Sequence, residues 1–139
     1  MKVLSCGVII TDGNIFLVGR VTGKKFWGIP KGRIEESETE IDAALRELKE
    51  ETNTELNSID LIDLGHFHYI PKKDLHLFLY KTKNLPKIEN MFCSTFFENK
   101  KGEKLPEFDK FKYISFLEMP KFVNKSLVPI LNEIKLNYV

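Results

Sequence analysis

Residues 32 to 54 read GRIEESETEIDAALRELKEETNT, a stretch that combines a helical repeat of apolar residues with a series of glutamates. At about 100° per residue around a helix, Glu40, Glu47 and Glu51 fall within roughly 40° of one another, and Glu50 lies about 60° to the side. The opposite face carries Ile41, Leu45, Leu48 and Thr52. The pattern predicts a helix that packs on a core with one face and presents four carboxylates on the other.

A capping pattern indicates where this helix starts. Ser37 followed three residues later by Glu40 has the form of a capping box, in which each side chain bonds the other residue's backbone N–H. Glu38 adds a negative charge near the positive end of the helix dipole. The periodic pattern then runs to about Thr52, so we expect the helix to begin just after Ser37 and to end near Thr52.

The acidic face needs an explanation, because carboxylates three or four residues apart repel each other by about 0.2 to 0.5 kcal/mol per pair. A solvated face usually interleaves lysines, whereas the nearby Arg46 and Lys49 are both expected off this face. A divalent cation would convert the repulsion into ligation, since Mg²⁺ is bound by one or two carboxylates, waters and phosphate oxygens. Charge alone leaves both a metal–phosphate site and an ordinary acidic surface open.

The spacing of the fixed residues favours the metal–phosphate site. Five residues separate Gly32 from Glu38, and a further seven lead to the segment RELKEE at Arg46–Glu51. This pattern resembles the Nudix (MutT-like) box of pyrophosphohydrolases, G-x5-E-x7-R-E-U-x-E-E-x-G-U, in which U is apolar. Asn53 replaces the last glycine of the box and Thr54 its last apolar residue. Asparagine tolerates the left-handed backbone that glycine serves after a helix end, so we expect the first departure to leave the ligands in place.

The resemblance implies an α/β fold, a Nudix α/β/α sandwich with a mixed β-sheet between helices. It also implies that Glu50 and Glu51 are metal ligands, that Glu47 is a further ligand or the general base, and that the backbone carbonyl of Lys31 is an additional ligand. The implied cofactor is Mg²⁺, with Mn²⁺ as an alternative. The residues that would hold loop and helix in place are Gly32, Glu38 and Arg46.

The resemblance further implies attack of water on one phosphorus of a diphosphate linkage, with metal ions activating the water and neutralising the leaving phosphate. Family members often take another glutamate from a downstream loop. The segment Pro106–Asp109 (PEFD), followed by Phe111–Tyr113 (FKY), resembles the segment that supplies it in RNA 5′-pyrophosphohydrolases and dinucleoside polyphosphate hydrolases. Glu107 is therefore a further catalytic candidate, with Glu98 in reserve, and a plain charged loop is the alternative.

Basic residues near the box are candidates for binding the substrate's phosphates. We select Arg20, Lys31 and Arg33, while Lys25 and Lys73 also carry charge in the region. Trp27 and the segment Pro30-Lys31-Gly32 before the box also resemble the dinucleoside polyphosphate branch. We therefore expect a nucleotide or polyphosphate substrate, either a dinucleoside polyphosphate or a 5′-triphosphate RNA end. ADP-ribose, a nucleotide sugar or a damaged nucleoside triphosphate are alternatives, since the box specifies the chemistry and the loops specify the leaving group.

Apolar, β-branched runs separated by turn residues predict the surrounding strands, and apolar residues at helical spacing predict a second helix. We expect two hairpins, a short aromatic strand before the box, one strand between long loops, a further strand and a second helix. In chain order these are residues 3–11 with 15–20, residues 26–30, residues 59–70 with 75–82, residues 92–97, residues 111–116 and residues 125–136. At 139 residues, we expect a single domain over 1–139.

Composition excludes several classes of protein. The formal net charge is +1, from 21 Lys and Arg against 20 Asp and Glu, so a general attraction to nucleic acid or anionic lipid is not expected. The chain has neither a membrane-length apolar run nor a signal peptide pattern, and we expect a cytoplasmic protein. Cys6 and Cys93 lack ligand spacing and are expected to be buried reduced thiols. His66, His68 and His76 resemble a zinc set, but alternating strand histidines are more often structural or exposed.

Two other functional classes deserve comparison with the enzyme. A Nudix-fold module that senses a nucleotide without cleaving it would typically have lost box acids, and this chain keeps all of them. A nucleic-acid-binding protein without chemistry would show a basic excess with interleaved aromatic residues, which the near-neutral charge does not support. The sequence thus favours a metal-dependent pyrophosphohydrolase.

Overall fold

The computed structural model describes residues 2–139, and within them the chain forms two α-helices and nine strands. The helices are α1 (Glu40–Thr52) and α2 (Val128–Tyr138). The strands are β1 (Val3–Thr11), β2 (Ile15–Val21), β3 (Trp27–Gly28), β4 (Lys31–Arg33), β5 (Ile62–Ile70), β6 (Lys73–Lys81), β7 (Phe96–Glu98), β8 (Lys104–Pro106) and β9 (Phe108–Ser115).

Seven of these strands form one mixed sheet, in which the order along the main path is β3-β2-β1-β6-β5. β1 and β6 are parallel over their whole length, whereas the other neighbours in the sheet are antiparallel. β4 also pairs with β1, and β9 pairs with β2. β7 and β8 form a separate two-stranded ribbon. The sheet thus places β4, which opens the box, directly beside the central strand β1.

The two helices cover opposite faces of this sheet, because side chains along a strand alternate between faces. On one face, Cys6, Val8 and Ile10 of β1 belong to an apolar cluster with Ala43, Ala44 and Leu48 of α1. On the other face, Ile9 belongs to a cluster with Ile130, Leu131 and Ile134 of α2. The α/β/α sandwich with a mixed sheet is therefore confirmed.

The predicted capping box at the start of α1 is wrong. Ser37 has φ 72° and sits in a left-handed turn, and the helix begins at Glu40. The capping residue is Thr39, whose hydroxyl accepts a hydrogen bond from the backbone N–H of Asp42 at 3.2 Å. Glu38 pairs with Arg46 and accepts a hydrogen bond from the N–H of Glu35, and the chain makes a turn here before it enters the helix.

The end of α1 agrees with the expectation for a substituted box glycine. Asn53 has φ 62° in the left-handed region, and its N–H donates to the carbonyl oxygen of Lys49 at 2.9 Å. Its side-chain oxygen also accepts a hydrogen bond from the Lys49 ammonium at 2.9 Å. Asparagine thus takes the backbone conformation that glycine would adopt here.

Both predicted hairpins are present, although β5 starts at Ile62 because Ser58–Asp60 form a short 3₁₀ helix. The single strand predicted over residues 92–97 is wrong: the chain pairs Phe96–Glu98 with Lys104–Pro106 instead. The strand predicted from Phe111 begins at Phe108, where it extends the pairing with β2. The second helix begins at Val128, three residues later than its pattern indicated.

Cys6 is a buried free thiol, as expected, and burial raises its pKa to about 11. Cys93 is also free but only half-buried, in the segment before the β7–β8 ribbon. Over residues 2–139, the structure has no helix that is both long enough and apolar enough to cross a membrane.

Candidate metal and phosphate site

Arg46 connects the loop of the box to the helix. Its Nε donates to Glu38 Oε2 at 2.6 Å, and its Nη1 donates to Glu47 Oε1 at 2.8 Å and to Glu50 Oε2 at 3.2 Å. Its Nη2 donates to the backbone oxygen of Arg33 at 3.1 Å. The expectation that Arg46 lies off the acidic face is wrong, because its long side chain curves back across the face of α1.

The charges around Arg46 stabilise one another. The hydrogen bond to Glu38 raises the pKa of the Arg46 guanidinium, and the same bond lowers the pKa of the Glu38 carboxyl. Charge-assisted hydrogen bonds of this kind are shorter and stronger than neutral ones. Arg46 and Glu38 thus lie between the loop and the helix and connect the two.

Gly32 is required where β4 passes closest to α1. A Cβ atom added at this glycine would overlap the carboxylate of Glu47, so any larger residue would displace that side chain. Burial raises the pKa of Glu47, and the hydrogen bond from Arg46 opposes the rise. Gly32 therefore allows a buried carboxylate to lie against the backbone of the loop.

Glu51 lies deepest in the site, with only 4% of its surface exposed. The sequence placed it on an exposed face, but the end of α1 is covered by β4 and by the loop before β9. Glu51 Oε1 accepts a hydrogen bond from the backbone N–H of Lys31 at 2.9 Å. Burial, a hydrogen bond with Glu107 and the charge of Glu47 together raise the pKa of Glu51 well above its usual range. The Glu51 carboxyl thus lies next to that of Glu107, in a buried part of the site.

The backbone of the chain holds Glu107 beside Glu51. Its N–H donates to the carbonyl oxygen of Thr95 at 3.1 Å, and its carbonyl oxygen accepts from the N–H of Thr22 at 3.1 Å. The reserve candidate, Glu98, lies instead on the exposed β7 strand of the ribbon. The structure therefore brings Glu47, Glu51 and Glu107 together and leaves Glu98 outside.

The basic candidates are placed differently from one another. Lys31 is half-buried next to the carboxylates, and burial lowers the pKa of its ammonium. The Arg33 side chain is exposed at the edge of the loop. Arg20 forms a bidentate ion pair with Asp109, with N–O distances of 2.8 and 2.9 Å. A phosphate would therefore have to compete with Asp109 for the Arg20 guanidinium.

Two pockets have Phe108 in common in their lining, and the smaller of them opens beside Glu51 and Glu107. The smaller, of about 360 Å³, is bounded by Glu51, Glu107, Thr22 and Lys24. The larger, of about 840 Å³, is lined by aromatic and charged side chains, including Trp27, Phe92, Phe96, Asp109, Phe111 and Lys112. Their sizes lie in the usual range for small-molecule sites.

Sequence patterns did not single out Thr22. Within residues 2–139, its Oγ1 is the one buried side-chain oxygen or nitrogen atom that lacks a hydrogen-bond partner. This hydroxyl belongs to a residue that lines the smaller pocket, next to Glu107. A lone threonine in a loop carries no sequence signal, and only the fold places it there.

The donor set fits a hard divalent cation. Carboxylate oxygens are the ligands that Mg²⁺ and Mn²⁺ prefer. In this structure Glu51 is buried next to Glu107 and within the field of Glu47, so three acidic side chains are concentrated in one place. A cation would supply the missing positive charge. Glu40 is not part of this group, because its carboxylate faces His66 and His76 at the other end of α1.

Comparisons with known proteins identify the family of this chain. The family model described as NUDIX domain matches residues 1–134. An uncharacterized 17.7 kDa protein from the e-segB intergenic region of Enterobacteria phage T4 is 40% identical, over 96% of each chain. An RNA pyrophosphohydrolase of Pelagibacter ubique is 27% identical over 92% of this chain and 84% of its own.

Solved structures show the same fold at low sequence identity. A MutT structure, from work on Aliivibrio salmonicida and Vibrio cholerae, superposes with a TM-score of 0.69 at 14% identity, covering 99% of this chain and all of the other. A C. elegans Ap4A hydrolase in a binary complex gives a TM-score of 0.60 at 18% identity, covering 96% of each chain. With the family match over nearly the whole sequence, this chain belongs to the Nudix family, whose hydrolase domains catalyse the hydrolysis of pyrophosphate linkages.

Proposed function

We propose that this chain hydrolyses a diphosphate linkage in a nucleoside polyphosphate derivative, either a dinucleoside polyphosphate or the 5′-triphosphate end of an RNA. The observation that carries the proposal is the convergence of Glu47, Glu51 and Glu107, of which Glu51 and Glu107 line the smaller pocket. Nucleotides are the substrates of the Nudix family in general. The choice of substrate class rests on the site's surroundings.

The metal ligands that we propose are the carboxylates of Glu47, Glu50 and Glu51 and the backbone carbonyl oxygen of Lys31. Mg²⁺ bound there, or Mn²⁺ in its place, would neutralise charge on the diphosphate and lower the pKa of the attacking water. Arg46 hydrogen-bonds both Glu47 and Glu50, so it would hold these two side chains in place for the cation.

The protein's own part in the reaction is to orient a water molecule and to accept its proton. Water attacks one phosphorus, the bond from that phosphorus to the bridging oxygen breaks, and one product leaves as a phosphate. Glu47 and Glu107 are the two proposed proton acceptors, because each lies beside Glu51 without being the most deeply buried carboxylate. A general base needs a position within hydrogen-bond reach of the water more than it needs a particular pKa.

The lining of the two pockets supports a substrate that contains phosphates and a nucleobase. The lining of the larger pocket includes the rings of Trp27, Phe96 and Phe111, on which a nucleobase could stack. The Lys112 ammonium lies 4.4 Å from the centroid of the Trp27 ring and 4.0 Å from that of the Phe122 ring. The larger pocket thus combines a positive charge with aromatic rings. Lys24 lines the smaller pocket beside the carboxylates. Lys31, Arg33 and Arg20 are the further phosphate contacts that we propose.

Two relatives support the same substrate classes by name. One is the RNA pyrophosphohydrolase of Pelagibacter ubique, and the other is the C. elegans Ap4A hydrolase, whose likeness concerns the fold. ADP-ribose is the runner-up substrate, together with nucleotide sugars and damaged nucleoside triphosphates. The loops that line the pockets would decide between them.

The test is to incubate the protein with Mg²⁺ and diadenosine tetraphosphate and to separate the nucleotide products by chromatography. Glu50→Gln removes a proposed ligand charge while it keeps the side chain's shape, and we expect a loss of about a hundredfold or more in rate. Glu55→Gln is the matched control. Glu55 lies three residues beyond the end of α1, is exposed, and pairs with Lys49, so its substitution should leave the rate unchanged.

Each result bears on a different part of the proposal. Cleavage by the parent and by Glu55→Gln, but not by Glu50→Gln, supports both the site and the dinucleoside polyphosphate class. If the folded, Mg²⁺-loaded parent leaves this compound intact, the same assay with triphosphorylated RNA and then ADP-ribose decides among the remaining substrates. Inactivity on all three would overturn the proposal in favour of a module that binds nucleotides without cleaving them.

A further inference from the structure

A second group of metal-ligating side chains lies at the other end of α1. Glu40 Oε1 is 2.6 Å from His66 Nε2 and 2.9 Å from His76 Nδ1. The three ligand atoms all lie within 4.8 Å of one another. They come from the first residue of α1, from β5 and from β6, and His66 and His76 face each other across the β5–β6 pair. Only the tertiary structure brings these three residues together.

This cluster is separate from the carboxylates of the box. Glu40 precedes Glu51 by eleven residues on the same helix, which at 1.5 Å per residue corresponds to about 16 Å along the axis. The two groups therefore lie at opposite ends of α1. Their ligand chemistry also differs, because imidazole nitrogens suit zinc and the later transition metals, whereas carboxylate and carbonyl oxygens suit Mg²⁺ and Mn²⁺.

The hydrogen-bond geometry of the cluster calls for a positive charge. His76 has a carboxylate oxygen beside each ring nitrogen, with Glu40 at Nδ1 and Asp63 Oδ1 at Nε2, 2.5 Å away. A neutral imidazole has a single N–H and can donate to only one of them, so the arrangement is satisfied either by an imidazolium, which donates to both, or by a bound cation. A metal ion between Glu40 and His76 removes this conflict, since Nδ1 then offers its lone pair to the metal and Nε2–H donates to Asp63.

The residues around His76 are arranged as they are around metal-bound histidines elsewhere. A ligating histidine usually donates its other N–H to a carboxylate, which fixes the tautomer and the ring orientation. Asp63 occupies that position, and it is itself held by the backbone N–H of Gly65 at 2.8 Å. The ring of Phe78 stacks on the His76 ring with centroids 4.4 Å apart, which further restricts the ring.

We propose that Glu40, His66 and His76 form a second metal site, selective for Zn²⁺, with Asp63 as the residue that orients His76. Three protein ligands leave a fourth tetrahedral position for water. Zinc–ligand bonds of about 2.0 to 2.2 Å place tetrahedral ligands roughly 3.3 to 3.5 Å apart, so the Glu40 oxygen and the two imidazole nitrogens must separate by about 0.4 to 0.9 Å. His66 is exposed and can follow this movement. The ion would tie the first turn of α1 to the β5–β6 hairpin.

The test is to measure Zn²⁺ binding to the full chain by competition with a chelating dye, in millimolar Mg²⁺ to occupy the carboxylates of the box. We expect one Zn²⁺ per chain and a rise in the melting temperature of about 5 to 10 °C when Zn²⁺ is a hundredfold above its Kd. His66→Gln should weaken binding at least tenfold, and so should Asp63→Asn, because loss of an orienting carboxylate typically costs 10- to 100-fold in affinity.

His68→Gln is the matched control, since His68 lies two residues further along the same strand, is exposed, and contacts Asp74 instead of Glu40. Its Zn²⁺ affinity should stay within about twofold of the parent. Because His66 and His68 are both exposed, both variants should fold, and circular dichroism verifies this. Absence of Zn²⁺ binding to the parent would overturn the proposal, and so would equal binding by the His66→Gln and His68→Gln variants.

Discussion

The two ends of α1 both carry glutamates, but their surroundings differ. At the C-terminal end, Glu51 is 4% exposed and has other carboxylates as neighbours, so burial and like charge raise its pKa. At the N-terminal end, Glu40 is partly exposed, and hydrogen bonds from His76 and His66 lower its pKa. The first environment favours a hard cation with bound phosphate, and the second favours a metal that accepts nitrogen ligands. Carboxylate positions alone thus do not define the chemistry, because the neighbouring residues decide it.

The largest expected effect is on the rate of hydrolysis, and it distinguishes the C-terminal end of α1 from its N-terminal end. Glu51→Gln removes the most buried box carboxylate, so Mg²⁺-dependent hydrolysis should fall by about a hundredfold or more. Zn²⁺ binding at Glu40 should stay within about twofold of the parent, because the two groups are far enough apart for their effects to be independent. Product chromatography and the dye competition measure the two quantities on one preparation. A joint loss of hydrolysis and Zn²⁺ binding would show that the ends of α1 share one site.

The same variant has an expected effect on the stability of the metal-free protein. The pKa of Glu51 is raised in the folded state from an ordinary 4.5, so the folded state binds more protons and loses stability as the pH rises above that value. Glu51→Gln removes this loss. In a chelator at pH 7 the variant should therefore melt at a higher temperature than the parent, and the difference should disappear near pH 4.5. A variant that melts lower at pH 7 would contradict the assigned direction of the pKa shift.

An intermediate effect is expected at Gly32. A Cβ atom there displaces the Glu47 carboxylate, which is the end of a flexible side chain, so Gly32→Ala should cost little in stability. It should lower hydrolysis by about 10- to 100-fold, because small misplacements of a catalytic group are expensive in rate. Thermal melting and steady-state rates measured together test this separation. A large fall in the melting temperature would mean that the glycine serves the fold instead of the position of Glu47.

The smallest effect is expected at the end of α1. Asn53 adopts a left-handed conformation that costs an ordinary L-residue about 1 to 2 kcal/mol, so Asn53→Ala should destabilise the protein by about 1 kcal/mol. Asn53→Gly should be nearly neutral, since it relieves the backbone but loses the hydrogen bond from Lys49. Denaturant unfolding compares the two variants. If alanine is tolerated as well as glycine, the backbone conformation is not the reason for the residue at this position.

Much of the fold could be predicted from local patterns. The apolar runs of β1 and β2 on either side of the turn residues Asp12–Asn14 predicted their hairpin, and apolar residues at helical spacing predicted both helices. The failures lie where tertiary contacts override a local signal. The Ser37–Glu40 pattern satisfies the rule for a capping box, but Ser37 lies in a left-handed turn, Glu38 pairs with Arg46, and Thr39 caps the helix instead. Similarly, residues 92–97 look like one strand until β8 offers a partner for Phe96–Glu98.

The sequence by itself determined the family and the identity of the box residues, because the spacing Gly32, Glu38, Arg46–Glu51 is a property of the chain alone. Only the tertiary structure decided that Glu51 is buried against the N–H of Lys31, that Glu107 reaches it across 56 residues of sequence, and that Arg46 pairs with the acids. It also decided that Glu40 lies with His66 and His76. The physical reason is that burial and hydrogen bonding depend on which segments pack together, and no local spacing specifies the environment that sets a carboxylate's charge and its preferred metal.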